Sequence, residues 1–153
     1  MCKAIYFDMD GTIADLYNFC DWLPMLRAED TTPYEKCAVL VDLEEMRRVL
    51  DAFMQAGITV GVISWGAMGG SRDYCKRTRK AKKAWCDNYF PNVFNEFHVV
   101  KYGTPKHHVR KEKDSILVDD NEEVRNAWKG QTIDASDPKR TIELLWEVLE
   151  EVA

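Results

Sequence analysis

Two pairs of carboxylates dominate the chemistry open to this chain. Asp8 and Asp10 follow the apolar run Ile5-Tyr6-Phe7 and are punctuated by Gly11 and Thr12. Asp119 and Asp120 follow Ile116-Leu117-Val118 in the same grammar. Ser64 closes a third apolar run that starts at Ile58, and Lys106 comes directly after Thr104-Pro105. Clustered carboxylates repel one another and are costly to assemble without a cation. Oxygen donors that leave room for water suit Mg2+, and such an ion also binds phosphate and neutralises its charge. A lysine and a serine hydroxyl would hold the remaining phosphate oxygens. One carboxylate would then attack phosphorus, giving an acyl phosphate that water later splits.

These residues meet only if the strands that carry them are parallel neighbours, because parallel strands place all their carboxyl ends on one edge. The patterning predicts strands over about 3–8, 58–64, 97–100, 115–119 and 131–134. A helix is expected after Asp42, which with Glu45 forms an acidic capping box; Leu43, Met46, Val49, Leu50, Phe53 and Met54 line its inner face. A second runs from Ser71 to about Tyr89. Its cations Arg72, Lys76, Arg77, Arg79, Lys80, Lys82 and Lys83 read as a solvated face, with Tyr74, Ala81, Ala84 and Trp85 turned inward; contact with phosphate backbones is the rival reading. Thr104 and Pro105 read as the cap and first position of a third helix. Asn121 caps a fourth, through about Trp128, and Asp137-Pro138 opens the last. Strands alternating with helices give an α/β, three-layer Rossmann-like domain with a mainly parallel sheet. Right-handed crossovers permit strand order 3-2-1-4-5, with the switch point between strands 1 and 4 and with Ser64 and Asp119 on either side of Asp8. Residues 15–38, broken by Pro24 and Pro33, read as a short helix or turn and then an irregular loop, either a flap over the site or a surface segment with its own apolar cluster.

In its order and types, this set resembles the four motifs of the haloacid dehalogenase-like phosphohydrolase superfamily. Asp8-Met9-Asp10-Gly11-Thr12 is similar to the first, Ser64 to the second, Lys106 to the third and Ile116 through Asp120 to the fourth. The resemblance implies Asp8 as the nucleophile and Asp10 as general acid and base. It implies Mg2+ held by Asp8, the backbone carbonyl of Asp10, Asp119 and Asp120, the last directly or through water. Ser64 and Lys106 would bind the phosphoryl group, and Thr12 would help to orient Asp10. Lys101, at the end of the third strand, competes with Lys106 for the third motif. Trp65 departs from the small or polar residue common after the second motif; it either stacks on a substrate ring or packs against the flap. With no room for a large cap, the chain resembles the capless or minimal-cap members, one domain over 1–153 with a flap at about 15–38. The stretch from Ser115 to Asn121 is similar to the small nucleotidases of that superfamily. A nucleoside monophosphate is therefore the expected substrate, with Tyr17, Phe19, Trp22 and Trp65 as a stacking platform. The competing function is a non-catalytic phosphate- or nucleotide-binding domain on the same fold.

Composition sets the outer limits. A net charge of −5 argues against general affinity for nucleic acid or anionic membrane. No apolar run approaches a membrane span, and the start of the chain has no signal-peptide pattern. Five scattered cysteines with no C-x-x-C pair read as reduced thiols, so a cytoplasmic location and no zinc site are expected.

Overall fold

The computed structural model describes residues 1–152. In chain order the elements are β1 (Ala4–Phe7), α1 (Trp22–Arg27), α2 (Thr32–Lys36), α3 (Leu43–Gln55), β2 (Thr59–Trp65), α4 (Arg72–Tyr89), β3 (Glu96–Val100), a 3-10 turn (Lys106–His108), β4 (Ser115–Asp119), α5 (Glu122–Ala127), β5 (Thr132–Asp134) and α6 (Pro138–Val152). The five strands form one sheet in the order β3-β2-β1-β4-β5, and every pair is parallel. The architecture is thus the expected three-layer α/β sandwich with its switch point between β1 and β4.

The period-2 alternation of the strands divides the core. Ile5, Phe7, Val60, Val62, Ile116 and Val118 face one layer, where they meet Met46, Val49, Leu50 and Phe53 of α3 and Leu145 and Val148 of α6. Trp85 and Cys86 extend this layer from α4. Ala4, Tyr6, Ile63 and Leu117 face the other layer, against Val124 of α5 and Trp128. Central strands covered on both faces read as near-continuous apolar runs, which is why β1, β2 and β4 stand out in the sequence. Gly61 is required by close approach: a Cβ there would lie 2.8 Å from the Tyr6 ring. That ring is pinned by its hydroxyl, which donates to Glu96 at 2.7 Å.

Local chemistry explains the element ends. Asp42 Oδ1 accepts from the Glu45 amide at 3.0 Å, as the capping box requires. Asn121 caps α5 by accepting from the amides of Glu123 and Val124. Thr104 does not cap a helix: its hydroxyl donates to the Lys101 carbonyl at 2.7 Å, and only a 3-10 turn follows. Residues 15–38 are more ordered than expected, since α1 and α2 both lie there. Pro24 and Pro33 sit in the first turns of these helices, where a missing N–H breaks no intrahelical bond. On α4, Arg72, Lys76, Arg77, Arg79, Lys80 and Lys83 are exposed, as a solvated face should be. Two positions depart from that reading: Ala84 is exposed and Lys82 is fully buried. All five cysteines are free. Among the described residues, no helix is long and apolar enough to cross a membrane.

Candidate active site

Register brings the acids together. Phe7 pairs with Val62 on one side and Val118 on the other, so Asp8, Ser64 and Asp119 emerge at one edge of three adjacent strands. The Asp8 amide donates to the Val118 carbonyl at 2.9 Å, which fixes where its side chain departs. Asp8, Asp119 and Asp120 each offer a carboxylate oxygen, and these oxygens lie within 4.8 Å of one another. Lys106 is buried and bridges them, donating to Asp8 Oδ1 at 2.9 Å and to Asp119 Oδ2 at 2.8 Å. Of the two candidate lysines, Lys106 reaches the acids, whereas Lys101 is exposed. Thr12 Oγ1 lies 3.3 Å from Asp8 Oδ2 and 3.2 Å from Asp120 Oδ1, and its single proton goes to one or the other. It therefore orients the acidic cluster rather than the Asp10 carboxylate. Gly11 is a second glycine that the site demands: its φ is +83° and a Cβ would sit 2.5 Å from Asp120 Oδ2.

The electrostatics are those of a crowded anionic pocket. Burial, then the charge of Asp8, pushes Asp119 up to about 6 and Asp120 up to about 7. Burial alone would depress Lys106, but Asp8 and Asp119 outweigh it and its pKa is raised. Asp10 is also raised, chiefly by burial, with the ammonium of Lys82 opposing. The donor set fits Mg2+: three hard carboxylate oxygens converge on an open cavity that leaves room for water and phosphate. The Asp10 carboxylate stands apart from that cluster.

Asp10 is held instead by a residue that sequence reasoning missed. Lys82, from the middle of α4, donates to Asp10 Oδ2 at 2.9 Å, Ser64 Oγ at 2.7 Å and the Trp65 carbonyl at 2.8 Å. The signal was present but weak: Thr78, Lys82 and Cys86 form an i, i+4, i+8 row, and all three are buried.

A cavity of about 370 Å3 opens above the acids. Asp8, Asp10, Lys106, Asp119, Asp120 and Trp65 line it, whereas Thr12 and Ser64 are buried beneath. Trp65 packs not on the 15–38 segment but on Tyr102, with ring centroids 4.9 Å apart, and its indole N–H donates to the Thr104 carbonyl at 2.8 Å. The opposite wall comes from residues 15–38, where Tyr17 and Trp22 meet edge to face at 5.0 Å and Arg27 adds a cation. Phe19 packs into the main core and takes no part in this wall.

Metal dependence of stability follows from these pKa values. In the unfolded chain both acids titrate near 3.9, as model aspartates do. Between about pH 4 and pH 7 these two acids therefore hold more protons in the folded, metal-free protein than in the unfolded chain, and their contribution to stability falls as pH rises. A divalent cation offsets repulsion among ionised carboxylates and competes with their protons. Millimolar Mg2+ is expected to raise Tm more at about pH 8 than at about pH 5.5. Equal increments, read by differential scanning fluorimetry, would count against a cation at these acids.

No protein-family model and no curated protein matches the chain.

Proposed function

We propose that this chain is a Mg2+-dependent phosphomonoesterase of the haloacid dehalogenase-like superfamily, acting through an aspartyl phosphate on Asp8, with nucleoside monophosphates as its substrate class. The observation that carries the reading is the position of Asp8, in reach of Lys106, Asp119 and Asp120 at the switch point, with a second acid, Asp10, held separately by its own lysine. Two acids with different partners at one strand end suit two different tasks.

In this reading Asp8, Asp119 and Asp120, with the Asp10 carbonyl, would hold Mg2+, which would supply positive charge against the phosphate. A carboxylate oxygen of Asp8 attacks phosphorus and the ester P–O bond breaks. Asp10, protonated, gives its proton to the departing oxygen. The Asp10 carboxylate then takes a proton from water as the water oxygen attacks phosphorus. The P–O bond to Asp8 breaks, releasing inorganic phosphate and the free Asp8 carboxylate. Lys106 and Ser64 stabilise charge on the transferring group, where fixed donors contribute most.

The substrate class rests on the walls. Among the described residues, every large exposed apolar side chain apart from Met1 lines this cavity: Tyr17, Leu23, Met68 and Tyr102. Tyr17 and Tyr102, with Trp22 and Trp65, offer aromatic rings to a flat base.

The test is phosphate release from nucleoside monophosphates, sugar phosphates, phosphopeptides and a generic aryl phosphate, with and without Mg2+. The aryl phosphate should be hydrolysed only with the metal, and nucleoside monophosphates should outpace sugar phosphates. Faster turnover of sugar phosphates would overturn the substrate class. Nucleotide binding with no release would make the chain a phosphate- or nucleotide-binding domain instead.

A further inference from the structure

We infer that Lys82 is a positioning residue for the proposed reaction, locking the proton-transfer acid Asp10 and the phosphate-binding Ser64 into one unit; the inference rests on the phosphomonoesterase reading. Lys82 lies outside the cavity lining, and its side chain has no exposed surface. An ammonium has three protons and no lone pair, and here each proton has an acceptor: Asp10 Oδ2, Ser64 Oγ and the Trp65 carbonyl, at 2.9, 2.7 and 2.8 Å. The Tyr34 ring of α2 covers the group, with its centroid 4.7 Å from Nζ. A cation in this setting has one arrangement and no solvent to trade it for.

The direction of each bond matters. Lys82 can only donate, so Ser64 Oγ must accept, and the serine keeps its own proton to donate elsewhere. That is the polarity needed to bind a phosphoryl oxygen. Asp10 Oδ2 is likewise committed to Lys82, which leaves Oδ1 to carry the proton to the leaving oxygen and to take one from water. Fixing which oxygen works, and where it points, is the role of a positioning group. Lys82 makes no hydrogen bond to Asp8, Asp119 or Asp120, so the metal cluster does not depend on it. Its contact with Tyr34 also ties the 15–38 segment to the proton-transfer acid.

Lys82→Met tests this, with Mg2+-induced Tm shift, steady-state kinetics and pre-steady-state bursts measured on the full chain. The Tm shift should match the wild type's. For an alkyl phosphate, whose leaving oxygen needs a proton, kcat should fall by about 100-fold while KM stays within about threefold. For dinitrophenyl phosphate, whose leaving group departs as the anion, the burst rate of phosphoenzyme formation should fall by at least about tenfold less, the remaining loss being that of the Ser64 donor. A merely structural lysine would give equal losses for both leaving groups, and that result, or wild-type kinetics, overturns the inference alone. Lys82→Gln keeps two donors and serves if the methionine variant does not fold. It should show the same leaving-group contrast at smaller amplitude, and equal losses there would again overturn the inference. A wild-type protein that releases no phosphate would overturn the reading of the site, and this role with it.

Discussion

Asp8→Asn is expected to reduce Mg2+-dependent phosphate release by about 10^4-fold or more, because in the proposed reaction it removes the attacking oxygen anion rather than a supporting contact. The same change should not destabilise the protein. Asp8 is the second-largest influence raising both Asp119 and Asp120, after burial, so removing its charge relieves repulsion inside a buried cluster. The asparagine oxygen still accepts from Lys106 in the place of Asp8 Oδ1. In chelator at about pH 8, where the wild-type acids are ionised, the variant should melt at or above the wild-type temperature. Loss of activity together with retained or raised stability marks a group kept for chemistry at the expense of folding. A variant that retains more than about one-hundredth of wild-type activity would remove Asp8 from the role of nucleophile.

Much of this arrangement is legible in the sequence, and its gaps have specific causes. β1, β2 and β4 are short apolar runs stopped by polar residues, as strands of a parallel sheet covered on both faces are. Their order is one that crossover handedness permits, and parallel neighbours put Asp8, Ser64 and Asp119 at one edge. Lys106 was harder to choose over Lys101, because tertiary reach rather than local pattern separates them: one bridges two carboxylates and the other is exposed. Lys82 escaped for a different reason. Composition makes a helix with seven cations look solvated, and periodicity weights residue type before position. A lysine on the buried row between Thr78 and Cys86 breaks the type rule while obeying the positional one. Such conflicts concentrate where polar groups converge on a site, since a buried ammonium persists only with all its protons engaged. The proline helices α1 and α2 show the complementary error, in which a residue usually read as a breaker sits at the one place in a helix that tolerates it.

Lys106→Met is the second change with a large expected effect, and here stability and activity should fall together. Among the described hydrogen bonds, Lys106 supplies the only ammonium that reaches the carboxylates of Asp8 and Asp119. Removing it leaves three carboxylates in mutual contact with no counter-charge. Breaking a buried pair in this way typically costs about 3–5 kcal/mol, more than an exposed pair could. That loss should depend on pH with a defined sign. Below about pH 6, Asp119 and Asp120 accept protons, which removes most of the repulsion, so the deficit should be smaller there than at about pH 8. Mg2+ should recover part of the deficit at the higher pH, because the ion replaces the lost positive charge among the same oxygens. Recovery of stability need not bring recovery of rate. In the proposed reaction the ammonium would also stabilise charge on the transferring phosphoryl group, and losing one such donor should lower kcat by about 10^2–10^3-fold even with Mg2+ saturating. Lys101→Ala is the matched control: its side chain is exposed, and both Tm and kcat should stay near the wild-type values. An inactive Lys101→Ala beside an active Lys106→Met would reverse the assignment and detach the phosphate-binding lysine from the acidic cluster.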